Sequence, residues 1–237
     1  MPFANSAGAA SPWRARFVQG GFDGAAYQAG FLVGLDVGWK TYWRNPGESG
    51  IPPQITIITA ENLQNLEMSY PLPKRFIDES GESIGYHDEV LFPLRLQPKD
   101  FSKPLKVKFE AFFGVCFDVC VPAKDTAELE FNPSSLATPD AELIANWIAR
   151  VPKPAVIVKA ISITEKSLVL DLTKPYTDLF VEGPARYYFT KPDFAREPGK
   201  AWIAIKGLKN TSDLKQAELR ITASDNGQGL EQVASVP

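Results

Sequence analysis

The chain has 237 residues, a formal net charge of -3, 44% hydrophobic and 22% charged residues, the balance of an ordinary globular chain and nothing basic enough to suggest nucleic acid as a partner. Twenty prolines and seventeen glycines punctuate many short alternating runs, the pattern of an all-β protein with frequent turns. No apolar run reaches the roughly 18 residues of a membrane helix, and Met1 to Ser11, small and polar without a basic segment, reads as the start of a mature exported chain rather than as a signal peptide.

Trp13 to Gln19 alternates and opens the chain as a strand, with Trp13, Ala15 and Phe17 on one face and Arg14, Arg16 and Val18 on the other. Gly20 to Gly24 turns into a second strand over Tyr27–Val37, and the cluster Trp39, Tyr42 and Trp43 is read as core packing. A Pro- and Gly-rich loop from Asn45 to Pro53 leads to strands at Gln54–Thr59 and Leu63–Tyr70. Pro71 to Glu82 is polar and aperiodic, a long loop of the kind that often carries function, with Phe76 its one large apolar ring. Ser83–Leu96 is expected to be one strand; His87, the only histidine, has no Cys or His at metal-ligand spacing and is read as a surface residue. Leu105–Val115 alternates strictly, and Ala127–Phe131 closes the first domain.

Thr138 to Pro152 carries the signals of a helix: Thr138 as N-cap, Pro139 at the first position, acids in the first turn, Pro152 at the end, and Leu143, Ile144, Trp147, Ile148 and Val151 on one face. Alternation then resumes in strands at Val156–Ile163, Ser167–Leu172, Arg186–Thr190, Ala201–Lys206, Ala217–Ala223 and Leu230–Val236, with a turn at Asp225–Gly229. The expected fold is therefore all-β, two β-sandwich domains joined by one short helix: 12–133, a helical linker over 134–154, and a smaller sandwich over 155–237 with no visible site.

The chemistry-bearing stretch is Phe112 to Pro122, which holds the only two cysteines, Cys116 and Cys120. In a straight strand their Cα atoms would lie about 13 Å apart, beyond the roughly 7 Å that a disulfide allows. A three-residue tip of Phe117, Asp118 and Val119 would place them opposite each other on neighbouring strands instead. As a staple such a bridge is weak: closing about five residues contributes about 2 kcal/mol. Three readings stay open on the residues alone: a small structural disulfide or two buried free thiols, a redox-active dithiol, or a soft-metal site for Cu(I) with Met68 as a further ligand. With Asp118 between the sulfurs and no Lys or Arg nearer in sequence than Lys124, local charge disfavours a thiolate.

Four ordered segments carry a family resemblance: Trp39 to Pro53, Tyr70-Pro71-Leu72-Pro73-Lys74-Arg75-Phe76, Gly85 to Pro93, and Cys116 to Pro122. Over about residues 12 to 133 the chain resembles the periplasmic N-terminal region of the DsbD/ScsB thiol:disulfide interchange proteins, most closely the ScsB form, named for suppression of copper sensitivity. The resemblance implies an immunoglobulin-like sandwich and makes Cys116 and Cys120 the redox pair. It implies a periplasmic domain, the soluble N-terminal portion of an inner-membrane protein, relaying electrons from a membrane-embedded domain to thioredoxin-like periplasmic partners. No cofactor, metal or nucleic acid is implied. In that family a loop with a phenylalanine shields the disulfide; Phe76 stands at the matching place, with Tyr86 expected near it. The spacing between the cysteines is shorter here than in DsbD itself, and Lys74 and Arg75 stand where DsbD has acidic residues.

Overall fold

Leu105, Val107, Phe109, Ala111, Phe113 and Val115 are all buried, one face of a twelve-residue strand whose other face carries Lys106, Lys108 and Glu110. The computed structural model describes residues 11–78, 81–133, 138–164 and 166–237. The expectation of a mature N-terminus over Met1–Ser11, all but its last residue, and the opening of the linker at 134–137 lie outside them. The chain folds as two units: the first comprises residues up to Pro46, Gly50–Met68 and Ile84–Ile144, and the second comprises Gly47–Ser49, Ser69–Ser83 and Ala145–Pro237.

The first unit is built on β1 (Trp13–Phe22), β2 (Tyr27–Leu35), β3 (Lys40–Gly47), β4 (Gln54–Glu61), β5 (Leu63–Met68), β7 (Gly81–His87), β8 (Glu89–Pro98), β9 (Leu105–Cys116) and β10 (Cys120–Phe131), with β6 (Lys74–Asp78) between β5 and β7 in sequence. One sheet runs β1-β2-β8-β5; the other runs β10-β9-β3-β7-β6 with β4 beside β9. Aromatic rings from the two sheets meet in the core: Phe17 stacks on Phe109 at 5.1 Å, and Phe31 meets Phe113 edge-on at 5.2 Å. This is the sandwich that the alternation implies, since each sheet must bury its apolar face against the other.

Three local expectations change. The segment read as a long loop, Pro71 to Glu82, contains β6 and the start of β7. Its strand character was hidden because Arg75 is the buried side chain and Ile77 the exposed one, at 5% and 66% exposure. The single strand expected over Ser83–Leu96 is two, divided at Asp88, whose positive φ of 64° turns the chain. The helix α1 is confined to Ala141–Ile148; the Thr138 hydroxyl donates to the carbonyl of Gln19 rather than capping, and Ile148 is exposed instead of sharing the apolar stripe.

In the second unit β11 (Lys153–Pro154), β18 (Gln228–Ser235), β17 (Glu218–Asp225) and β14 (Asp178–Glu182) form one sheet, and β12 (Val158–Thr164), β13 (Ser167–Leu172), β16 (Lys200–Lys206) and β15 (Tyr188–Phe189) the other. They enclose a core of Leu168, Leu170, Ile203, Leu219 and Ile221 among others. Asn226 and Gly227, both at positive φ, make the two-residue turn between β17 and β18. Sequence reading missed the two-residue β11 and also β14, where Leu179, Phe180 and Val181 are buried in succession and leave no alternation to see. The architecture is all-β with immunoglobulin-like sandwich character; the described residues add one short α-helix and a 3-10 turn at Thr211–Leu214.

Candidate redox site at the hairpin tip

β9 and β10 stay in register through twelve pairs, from Phe131 opposite Leu105 to Cys120 opposite Cys116. The tip is Phe117, Asp118 and Val119, so the cysteines face each other across the last rung, where Cα separations of about 4.5 to 5.5 Å suit a disulfide. Both thiols are free in this structure, Cys116 buried and Cys120 half-buried. Cys120 is thus the more exposed of the two. The Cys116 thiol donates to the Phe117 carbonyl at 3.6 Å, which keeps it inward.

β3 supplies the rest of the site. Lys40 is the cross-strand neighbour of Cys116 and Thr41 that of Val115, and the Thr41 hydroxyl donates to the Gly114 carbonyl at 2.7 Å, fixing β3 against β9. With the strand pinned there, the buried Tyr42 places its hydroxyl 2.5 Å from Cys120 Sγ. β7 closes on the other side of β3, and only glycine fits at position 85: a Cβ there would lie 1.9 Å from the Thr41 carbonyl oxygen and 2.9 Å from Tyr42 Cα.

Burial is the largest influence on Cys120 and pushes its thiol up; the Tyr42 hydrogen bond and the Lys40 charge pull it down, and burial wins. Tyr42 is itself pushed well above the usual phenol range, by burial first and then by the two sulfurs. It therefore keeps its proton, and toward a Cys120 thiolate it is the donor. Lys40, remote in sequence, stands beside Cys116 in space, a cation that the order of charges along the chain does not show. Burial is what pushes the Cys120 thiol up, whereas Asp118 is exposed.

The mouth of the site is apolar. Phe117 and Val119, at 52% and 72% exposure, flank the sulfurs, and the Phe117 ring rests 6.0 Å from that of Trp39, which lies 6.3 Å from Trp13. The Nδ1–H of His87 donates to the Trp39 carbonyl at 2.7 Å, so the histidine braces this rim rather than lying free on the surface.

Tyr86 is buried on β7 with its ring edge-on to Phe92 at 5.5 Å, a core position. Phe76 is half-buried on β6, in the segment that groups with the second unit. Among the described residues no group of three or more His, Cys, Asp or Glu side chains is arranged to hold a metal ion. Sequence reading missed Tyr42 and Lys40. Tyr42 was assigned to plain core packing, and the signal available was only that a polar aromatic in a buried strand needs a hydrogen-bond partner.

Residues 9–132 match the family described as thiol:disulfide interchange protein DsbD, N-terminal, and residues 150–237 match a domain of unknown function, DUF8393. No curated protein matches the chain. Among solved structures, the N-terminal periplasmic domain of ScsB from Proteus mirabilis is similar over 94% of this chain and 93% of its own, with a TM-score of 0.75 at 19% identity. The DsbD N-terminal domain of Neisseria meningitidis in its reduced form covers 49% of this chain and 86% of its own, with a TM-score of 0.28 at 17% identity. With its first half matched throughout, the chain belongs to the family of DsbD N-terminal domains, the thiol-disulfide exchange domains of the thiol:disulfide interchange proteins.

Proposed function

We propose that the chain is a periplasmic carrier of reducing equivalents, and that Cys116 and Cys120 are the pair that carries them. The observation that supports this most is the cross-strand position of the two free thiols, one buried and one half-buried, with the Tyr42 hydroxyl in hydrogen-bond contact with the more exposed sulfur. In the reduced chain the Cys120 thiolate attacks a partner disulfide; that S–S bond breaks, a Cys120–partner disulfide forms, and the partner's released thiolate takes a proton. Cys116, deprotonated, then attacks Cys120 Sγ and expels the partner's second sulfur, which is protonated in turn. Two electrons and two protons leave with the partner, and the chain retains a Cys116–Cys120 disulfide. A membrane-embedded reductase domain restores the dithiol by the same exchange in reverse. Thioredoxin-like periplasmic proteins are the acceptors that the resemblance suggests, and the apolar rim of Phe117 and Val119 suits their docking. The resemblance suggests Phe76, with Tyr86, for the part of the shield that a docking partner displaces.

Equilibration against redox buffers tests the carrier directly. The Cys116–Cys120 couple should have a potential above about -300 mV, the level below which structural disulfides lie. A Cys116→Ser variant should accumulate a mixed disulfide through Cys120. A potential below that level, together with no trapped adduct, would reduce the pair to a structural bond.

A further inference from the structure

Three neighbouring strands of the first unit, β3, β9 and β10, place three side chains in one row. Lys40 stands opposite Cys116, and Cys116 stands opposite Cys120, so all three project from the same face of the sheet with Cys116 in the middle. Residues directly opposite each other on antiparallel strands have Cβ atoms about 4.5 to 5.5 Å apart. Lys40 is no surface lysine: it is 4% exposed. A cation so far from water is costly to keep, and few folds place one there without use for it. The two sulfurs do not share their neighbours equally. The Tyr42 hydroxyl lies 2.5 Å from Cys120 Sγ and has a single proton to give. At Cys120, burial and the Tyr42 hydrogen bond both outrank the Lys40 charge, whose strand neighbour is Cys116 instead. The Cys116 thiol donates to the Phe117 carbonyl, an arrangement that suits a thiol and offers nothing to a thiolate.

We infer that Lys40 is the cation that serves the closing step of the exchange, in which Cys116 loses its proton and displaces the partner from Cys120. This rests on the reading of the pair as an exchange site with Cys120 as the attacking sulfur. In the closing step the Cys116 proton passes to water and the thiolate attacks Cys120 Sγ. The Cys120–partner bond breaks, and the partner sulfur leaves with the electron pair. The negative charge on Cys116 therefore forms at a buried sulfur, where an ammonium at cross-strand distance counts for much more than it would at the surface. Tyr42 and Lys40 then act at different moments. The phenol governs how fast the mixed disulfide forms, and the ammonium governs how long it lasts. A short-lived mixed disulfide frees the chain from each partner as soon as the electrons have passed.

The test follows the reduced full chain with one equivalent of Ellman's reagent. The first thionitrobenzoate is released when Cys120 is labelled, and the second when Cys116 closes the disulfide. Samples quenched in acid and weighed by mass spectrometry give the singly labelled species between the two. In the wild-type chain that species should be short-lived, and Cys116→Ser should hold it. Lys40→Met should slow closure by about tenfold, the loss of thiolate being offset in part because nucleophilicity rises as acidity falls. It should change labelling much less. Lys40→Arg keeps the charge and should restore most of the closing rate, whereas Tyr42→Phe should slow labelling rather than closure. The labelling phase of the same sample shows whether Lys40→Met is folded; if it is not, Lys40→Gln, with a neutral polar end, carries the test. If the neutral variant closes as fast as the wild type, or Lys40→Arg closes as slowly as the neutral variant, the charge has no part in the step and the inference is overturned while the exchange site stands. If Tyr42→Phe slows closure and the neutral Lys40 variant slows only labelling, the inference is likewise overturned. If Cys116→Ser holds no adduct, the reading of the pair fails, and the role of Lys40 with it.

Discussion

At Cys120 the Tyr42 hydrogen bond and the burial around it act in opposite directions on the thiol. A sulfur removed from water holds its proton more tightly; a phenol 2.5 Å away, itself pushed above the usual phenol range by burial, favours the thiolate by donating to it. The sign of the pH dependence follows. Because the Cys120 thiol is pushed up, its alkylation by iodoacetamide should still be rising above the ordinary thiol range and be slow below it. Tyr42→Phe keeps the ring and removes the donor, so the profile should move to still higher pH and the rate at pH 8 should fall by about tenfold. A faster reaction in that variant would mean that the hydroxyl blocks the sulfur rather than activating it. At this scale the cysteines were legible and their partners were not. Cys116 and Cys120 announce themselves by their spacing, whereas Tyr42 and Lys40 reach them through a strand pairing that joins positions more than seventy residues apart.

The elements that build the site are strands pinned at single points. β3 is held between β9, through the Thr41 hydroxyl, and β7, through the gap at Gly85. A methyl group at position 85 must push β7 off β3 or tilt β3 toward β9, since its nearest neighbours are backbone atoms that cannot rotate away. Gly85→Ala should therefore cost about 1 to 3 kcal/mol of stability, the range for overpacking, and also slow Cys120 alkylation by displacing Tyr42. Denaturant melts and alkylation rates on the same sample would check both. A variant that loses stability and keeps the rate would separate β7 from the site. Strands with regular alternation, β9 above all, were readable from sequence because one face is buried and the other wet. β6 and β14 were not, since the first buries an arginine and exposes an isoleucine, and the second buries three apolar residues in a row.

For the whole molecule, the order of the chain and the membership of the two units do not coincide. Residues 47–49 and 69–83 lie deep within the N-terminal half of the sequence and fold with the C-terminal half. Sequence reading divided the chain into 12–133, 134–154 and 155–237, on the resemblance and on the signals of the helix; residues 47–49 and 69–83 carry no comparable mark, being short and polar like any turn. Removal of residues 145–237 should leave 69–83 without its companions. Trypsin should then cut rapidly after Arg75 in the shortened chain and not in the whole one, where that side chain is 5% exposed. Equal cutting in both would show that the segment is held without the C-terminal residues. The interleaving also bears on how such proteins are inherited. Arg75 and Asp178 stand 103 positions apart, so a recombination event that exchanges the C-terminal module alone would part the guanidinium from its carboxylate. Lineages that trade this module should trade the 69–83 ribbon with it or else change both residues together.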